Sequence, residues 1–145
     1  TPLQAKKPLK STSLMSFKEI AVGDHSFQGK EKPMRLKDLI ENPLISLGQG
    51  STTYEFYSKF FLENDLVLSP DTEVETIDQV LPLIMNGLGI GFLPELFVRP
   101  VIEEGKVCQI PLKENIPERE ICLVENHTFP PSIAAEMFKK MLVLK

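Results

Sequence analysis

Two stretches of this sequence place hydroxyl side chains where a helix is expected to begin, an arrangement suited to binding anions. Ser51-Thr52-Thr53 follows the turn Gly48-Gln49-Gly50, and Thr76-Ile77 opens an apolar helical pattern. The first N–H groups of a helix have no partner within it and lie at the positive end of its dipole. A carboxylate or phosphate placed there finds donors and favourable charge. Thr76 equally suits a plain N-cap, with its hydroxyl accepting from its own helix. No catalytic constellation stands beside these residues: the chain has no Gly-x-Ser-x-Gly elbow, no Walker loop and no paired-histidine metal helix. No catalytic residue, metal ligand or cofactor is therefore expected, and the chain reads as a binding protein rather than an enzyme. Cys108 and Cys122 sit in separate apolar strand patterns, at a spacing that fits neither a metal site nor a redox pair, and are expected to be unbridged free thiols. His25 and His127 have no second His or Cys at ligand spacing.

The elements that must position Thr76 are clear in the pattern. Ile77, Val80, Leu81, Ile84 and Leu88 recur on one helical face, Pro82 is expected to kink that helix, and Gly87 to end it in a left-handed conformation. Gly89 and Gly91 fall in the strand 88–93 that follows. They suit either a ligand approaching the backbone or tight packing of helix on strand. Gly87-Leu88-Gly89-Ile90-Gly91 follows a helix and enters a strand, the reverse of a dinucleotide fingerprint.

Upstream, 17–22 reads as a strand, 35–40 as a short helix stopped at Asn42-Pro43, and 44–47 as a buried strand. A helix over 52–63 is predicted from the Thr52/Glu55 capping-box spacing, with Tyr54, Tyr57, Phe60 and Phe61 as its apolar face. Strand 72–74 precedes the Thr76 helix. A short helix after Pro94 is expected to break or bend near Pro100 and to end by Gly105. Strands 107–112 and 119–124 follow. Pro130-Pro131-Ser132 opens a last helix that buries Ala134, Met137, Phe138, Met141 and Leu142 and leaves Glu136, Lys139 and Lys140 outside. Strands alternating with helices at this spacing indicate an α/β fold with parallel strands and crossover helices.

A chain of 145 residues, 42% hydrophobic and 25% charged, can build an ordinary core, and its net charge of −4 argues against gripping duplex nucleic acid. No apolar run is long enough to span a membrane, and no charged-then-apolar leader precedes the fold, so cytoplasmic residence is the default expectation. The first residue is Thr rather than Met, and a piece of a longer protein is expected.

The order helix, Gly-Leu-Gly-Ile-Gly and Leu-Pro across 76–94 resembles the effector-binding domain of LysR-type bacterial transcriptional regulators. The resemblance extends through Phe17 to the Asp24-His25 pair, Leu36 to Leu39, Pro43 to Leu47, Gly105 to Leu112, Arg119 to Val124 and Ser132 to Phe138, covering nearly the whole chain in order. It implies a periplasmic-binding-protein type II-like fold: a complete second lobe plus the trailing part of the first. On that comparison 1–24 would be the first-lobe remnant with its outgoing hinge strand, 25–117 the second lobe, and 118–145 the return strand and C-terminal helix. Strands 17–22 and 119–124 would run side by side as the antiparallel hinge.

The resemblance further implies an effector held between lobes, touching Thr1, Glu75, Thr76 and Ile77, with Ser51 and Thr52 as the second helix start. Glu75 would repel an organic anion or select a cation. The implied partners are a small-molecule effector and further copies of the chain, as a dimer or tetramer. DNA would be reached only through a domain upstream of Thr1. A solute-binding or transport component with the same fold is the alternative. The last helix, short of sheet to cover, is expected to bury its apolar face by self-association.

Overall fold

Glu19-Ile-Ala-Val-Gly23, Leu44-Ile-Ser-Leu47 and Ile90-Gly-Phe-Leu-Pro94 are short, almost continuously apolar runs, the kind that become strands covered on both faces. The computed structural model describes residues 8–143. In it these runs are β2 (Glu19–Gly23), β3 (Leu44–Leu47) and β5 (Ile90–Pro94), joined at the edges by β4 (Thr72–Val74) and β6 (Cys108–Ile110). The sheet order is β4-β3-β5-β2-β6. β3 runs parallel to β4 and β5, whereas β2 is antiparallel to β5 and β6.

Alternation along each strand sends side chains to two separate cores. One face, with Ala21, Leu44, Ile90 and Phe92, is covered by α1 (Leu36–Leu39) and α2 (Thr52–Glu63) through Leu36, Leu39, Tyr57, Phe60 and Phe61. The other, with Ile20, Val22, Ile45 and Leu93, is covered by α3 (Val80–Met85) and α4 (Glu95–Glu103) through Val80, Ile84 and Val98. Gly91 is where α3 meets the sheet: a Cβ there would lie 2.7 Å from Val80 Cγ1 and 3.0 Å from Ile84 Cδ1. Gly89, at φ +158°, is crowded by the Pro43 carbonyl, 2.5 Å from where its Cβ would stand. Both glycines therefore serve close packing within the protein.

Two prolines act differently from expectation. Residues 77–79 form a 3-10 turn and the α-helix starts only at Val80, which puts Pro82 in its first turn, where an N–H has no intrahelical partner. Nothing is lost there, and the expected mid-helix kink is replaced by the change of helix type. Leu88, expected on the apolar face, is 46% exposed, because Gly87 at φ +72° ends the helix before it and turns the chain away. α4 is not broken at Pro100 but continues through it, and stops at Gly105 as expected.

The chain divides into two compact units, one over 18–117 and the other formed by the described residues on either side. In the second unit β1 (Leu9–Phe17) pairs antiparallel with β7 (Arg119–Asn126), with Phe17 opposite Arg119. The expected partnership of 17–22 with 119–124 is thus corrected. The ladder to β7 ends at Phe17, and 19–23 becomes a strand of the five-stranded sheet because its two faces are both apolar.

α5 (Ile133–Val143) begins where the Ser132 hydroxyl accepts the Ala135 N–H at 3.1 Å. Its apolar residues Met137, Phe138 and Met141 are 61%, 59% and 69% exposed, so the predicted buried face is not buried within this unit. Lys139, expected outside, is the residue that reaches β7: its Nζ donates to Glu125 Oε1 at 2.8 Å and holds the Glu125 carboxyl below its ordinary value. Among the described residues, no helix is long and apolar enough to cross a membrane.

Candidate functional site

Parallel strands end on the same side of a sheet, and the loops beyond their carboxyl ends are where open α/β sheets bind ligands. Leu47 lies opposite Val74, and the Gly48 N–H donates to the Val74 carbonyl at 3.2 Å. This register brings the turn from Gly48 to Ser51, with the start of α2, beside Glu75-Thr76 and the 3-10 turn. The end of β5 lies on the same side, since β3 and β5 are parallel. Five of the expected contact residues, Ser51, Thr52, Glu75, Thr76 and Ile77, therefore sit on one edge of the sheet. Thr1 lies outside the described residues.

Each of the five offers something different. Ser51, not Thr52, is the N-cap: it is extended (φ −82°, ψ 146°), its hydroxyl accepts from the Tyr54 N–H at 3.0 Å and donates to the Gly48 carbonyl at 3.0 Å. The expected capping box with Glu55 is displaced for that reason, since the residue three beyond Ser51 is Tyr54, which has no carboxylate to return. Thr52 is exposed in the first helical position. Glu75 and Thr76 are exposed, but their N–H groups both donate to Gln79 Oε1, at 3.0 and 3.2 Å. Ile77 is half-buried, with its side chain against the core beneath α3.

Three further residues join this edge. Gln79 is one, and the spacing Thr76-x-x-Gln79 announces it as a capping-box partner. Glu73 is exposed, and its Oε2 would lie 3.4 Å from a Cβ on Gly48, so a carboxylate stands against the turn that opens α2. The third is Glu19, 5% exposed at the start of β2 and opposite Pro94 of β5. Tyr57 of α2 donates to Glu19 Oε2 at 2.5 Å, and nothing in the local sequence signals that contact across 38 positions. On α4, Arg99 is ion-paired with Glu95 of the same helix.

A shallow hollow of about 340 Å³, lined in part by Phe27, Lys30, Val107 and Cys108, lies by the Gly23–Cys108 pair at the other end of the sheet. No parallel strand ends there, which makes the loop edge the better candidate. Among the described residues no group of three His, Cys, Asp or Glu is placed to hold a metal ion. Cys108 and Cys122 are half-buried free thiols in strands of different units.

The LysR substrate binding domain family matches residues 6–144. Of curated relatives, an uncharacterised HTH-type transcriptional regulator, YwqM of Bacillus subtilis, is 29% identical over 101 residues, covering 70% of this chain and 34% of its own. The HTH-type transcriptional activator CmpR of Synechocystis is 34% identical over 64 residues, 44% of this chain and 21% of that one. The chain thus spans about a third or less of these relatives. Among solved structures, the effector binding domain of QuiR in complex with shikimate superposes with a TM-score of 0.81 at 17% identity, covering 98% of this chain and 67% of that one. The regulatory domain of Synechocystis CcmR in complex with 2-PG gives 0.82 at 12%, covering 97% and 69%. At these identities the likeness shows the fold, which is the expected periplasmic-binding-protein type II class.

Proposed function

The chain belongs to the LysR substrate-binding domain family, and from that premise we propose that it senses a small-molecule effector for a LysR-type bacterial transcriptional regulator at the sheet edge of Ser51, Thr52, Glu75, Thr76 and Ile77. The observation that carries the site is the parallel register of β3 and β4, which sets the α2 N-terminus beside the Thr76 turn. Named relatives that are regulators favour this over the alternative of a transport component. The role is binding, without catalysis. The protein works in the cytoplasm as a homo-oligomer, and DNA is contacted by another domain. Effector binding shifts the population between states of the regulator that space those domains differently.

Shikimate and 2-PG in the neighbouring structures support a small polar effector here. Within this chain an anionic group is best served by the first turn of α2, because Gln79 already occupies the N–H groups of Glu75 and Thr76. Glu73 and Glu75 then favour a neutral or cationic group at the other end of the molecule. The test is a melting screen of the full-length protein against shikimate, 2-PG, amino acids and simple sugars. At a concentration 100 times its Kd a ligand stabilises by about 2.7 kcal/mol, a shift of several degrees. The expected result is a shift with at least one compound that Thr52→Pro and Thr76→Ala both weaken. A hit insensitive to both variants places the site elsewhere.

A further inference from the structure

Among the described residues Glu19 is the one buried charged side chain. A carboxylate in that setting is costly to desolvate, and an apolar pair of similar volume would often serve stability as well or better. What a buried polar contact supplies in addition is a single allowed arrangement. Phe61 packs edge-on against Phe92 of β5, whereas Tyr57 addresses two strands at once. Its ring lies 4.7 Å from that of Phe92 on β5, tilted by 31°, while its hydroxyl reaches Glu19 on β2. Ring and hydroxyl together fix both the rotation of α2 about its axis and its position along the sheet. Glu19 also stands two residues beyond Phe17, where the chain passes from one compact unit to the other.

We infer that the Glu19–Tyr57 hydrogen bond is a positioning contact that holds the first half of α2, and so the turn at Ser51, Thr52 and Thr53, in one place at the effector edge. Its purpose rests on the effector reading above, but its test uses no effector. A failed ligand screen would leave the result below standing, and a failure below would leave the screen standing.

The experiment is hydrogen exchange on the full-length protein, comparing amides from Tyr54 to Ser58 with those of β3 and β5 in the same molecule. This ratio cancels any change in global stability. In Tyr57→Phe, and in the apolar double variant Glu19→Met with Tyr57→Phe, the α2 amides should exchange about tenfold faster relative to the strands. The double variant serves where Tyr57→Phe alone folds poorly, because it removes the buried carboxyl together with the Tyr57 hydroxyl that donates to it. Glu19→Gln, whose amide oxygen can still accept from Tyr57, should keep the wild-type ratio. A wild-type ratio in the double variant, or an equal rise in Glu19→Gln, overturns the inference and leaves a packing contact only.

Discussion

Thr76 and Gln79 show how little separates a cap from a binding site. A helix start offers a fixed number of unpartnered N–H groups, and each one that a side chain occupies is withdrawn from a ligand. Gln79 accepts from the N–H of the N-cap Thr76 and from that of Glu75 just before it. Gln79→Ala should therefore cost about 0.5–1.5 kcal/mol in urea unfolding, the net value of an ordinary hydrogen bond, and open these donors to anions. Thr76→Ala should cost about 1 kcal/mol and also weaken binding of any compound that the melting screen identifies. Unchanged affinity with the full stability loss would leave Thr76 as a cap alone. The Thr76-x-x-Gln79 spacing is legible in the sequence. The shift of the α2 cap from Thr52 to Ser51 is not, since both residues carry a hydroxyl and only the backbone angles at Ser51 decide which one stands at the boundary.

At the scale of elements, the glycines of β5 separate packing from ligand approach. Gly91→Ala would push a methyl to 2.7 Å from Val80 Cγ1 and 3.0 Å from Ile84 Cδ1, buried side-chain atoms that can give way only as α3 shifts. A loss of about 1–3 kcal/mol is expected, as for other overpacked core sites. Gly89→Ala should cost more. The obstruction there is the Pro43 carbonyl, backbone that also accepts the Ile90 N–H at 2.8 Å, and φ is +158°. Chemical denaturation of the two variants checks the order. If Gly91→Ala proved the worse, α3 would be less free to move than the Pro43 turn. The sequence pattern finds α3 and β5 readily, yet it cannot say which neighbour crowds a glycine. That neighbour comes from the turn before β3, more than forty residues away, for Gly89 and from a preceding helix for Gly91.

At the scale of the whole molecule, the two units differ in how much apolar surface they cover. The five-stranded sheet has helices on both faces, whereas α5 keeps Met137, Phe138 and Met141 largely exposed beside a two-stranded ladder. Exposed apolar faces of this kind seek cover. The isolated 145-residue chain should self-associate through α5, giving a sedimentation coefficient that rises with concentration, and Met137→Glu with Met141→Glu should restore a monomer. A strict monomer at high concentration for the unmodified chain would remove this prediction.

From the sequence by itself came the α/β class, the order of strands and helices from β2 onward, the family and the two helix starts, but not β1, which the local pattern of 9–17 did not announce. These rest on local periodicity, on turn residues and on an ordered set of motifs, all of which are properties of neighbouring residues. The tertiary structure alone decided that 19–23 leaves the β1–β7 ladder for the five-stranded sheet, that Gly89 and Gly91 admit protein rather than ligand, and that Glu19 meets Tyr57. Each of these is a contact between distant parts of the chain. Strand pairing and helix docking are settled by which two apolar faces bury each other best, and that comparison exists only once the chain has folded.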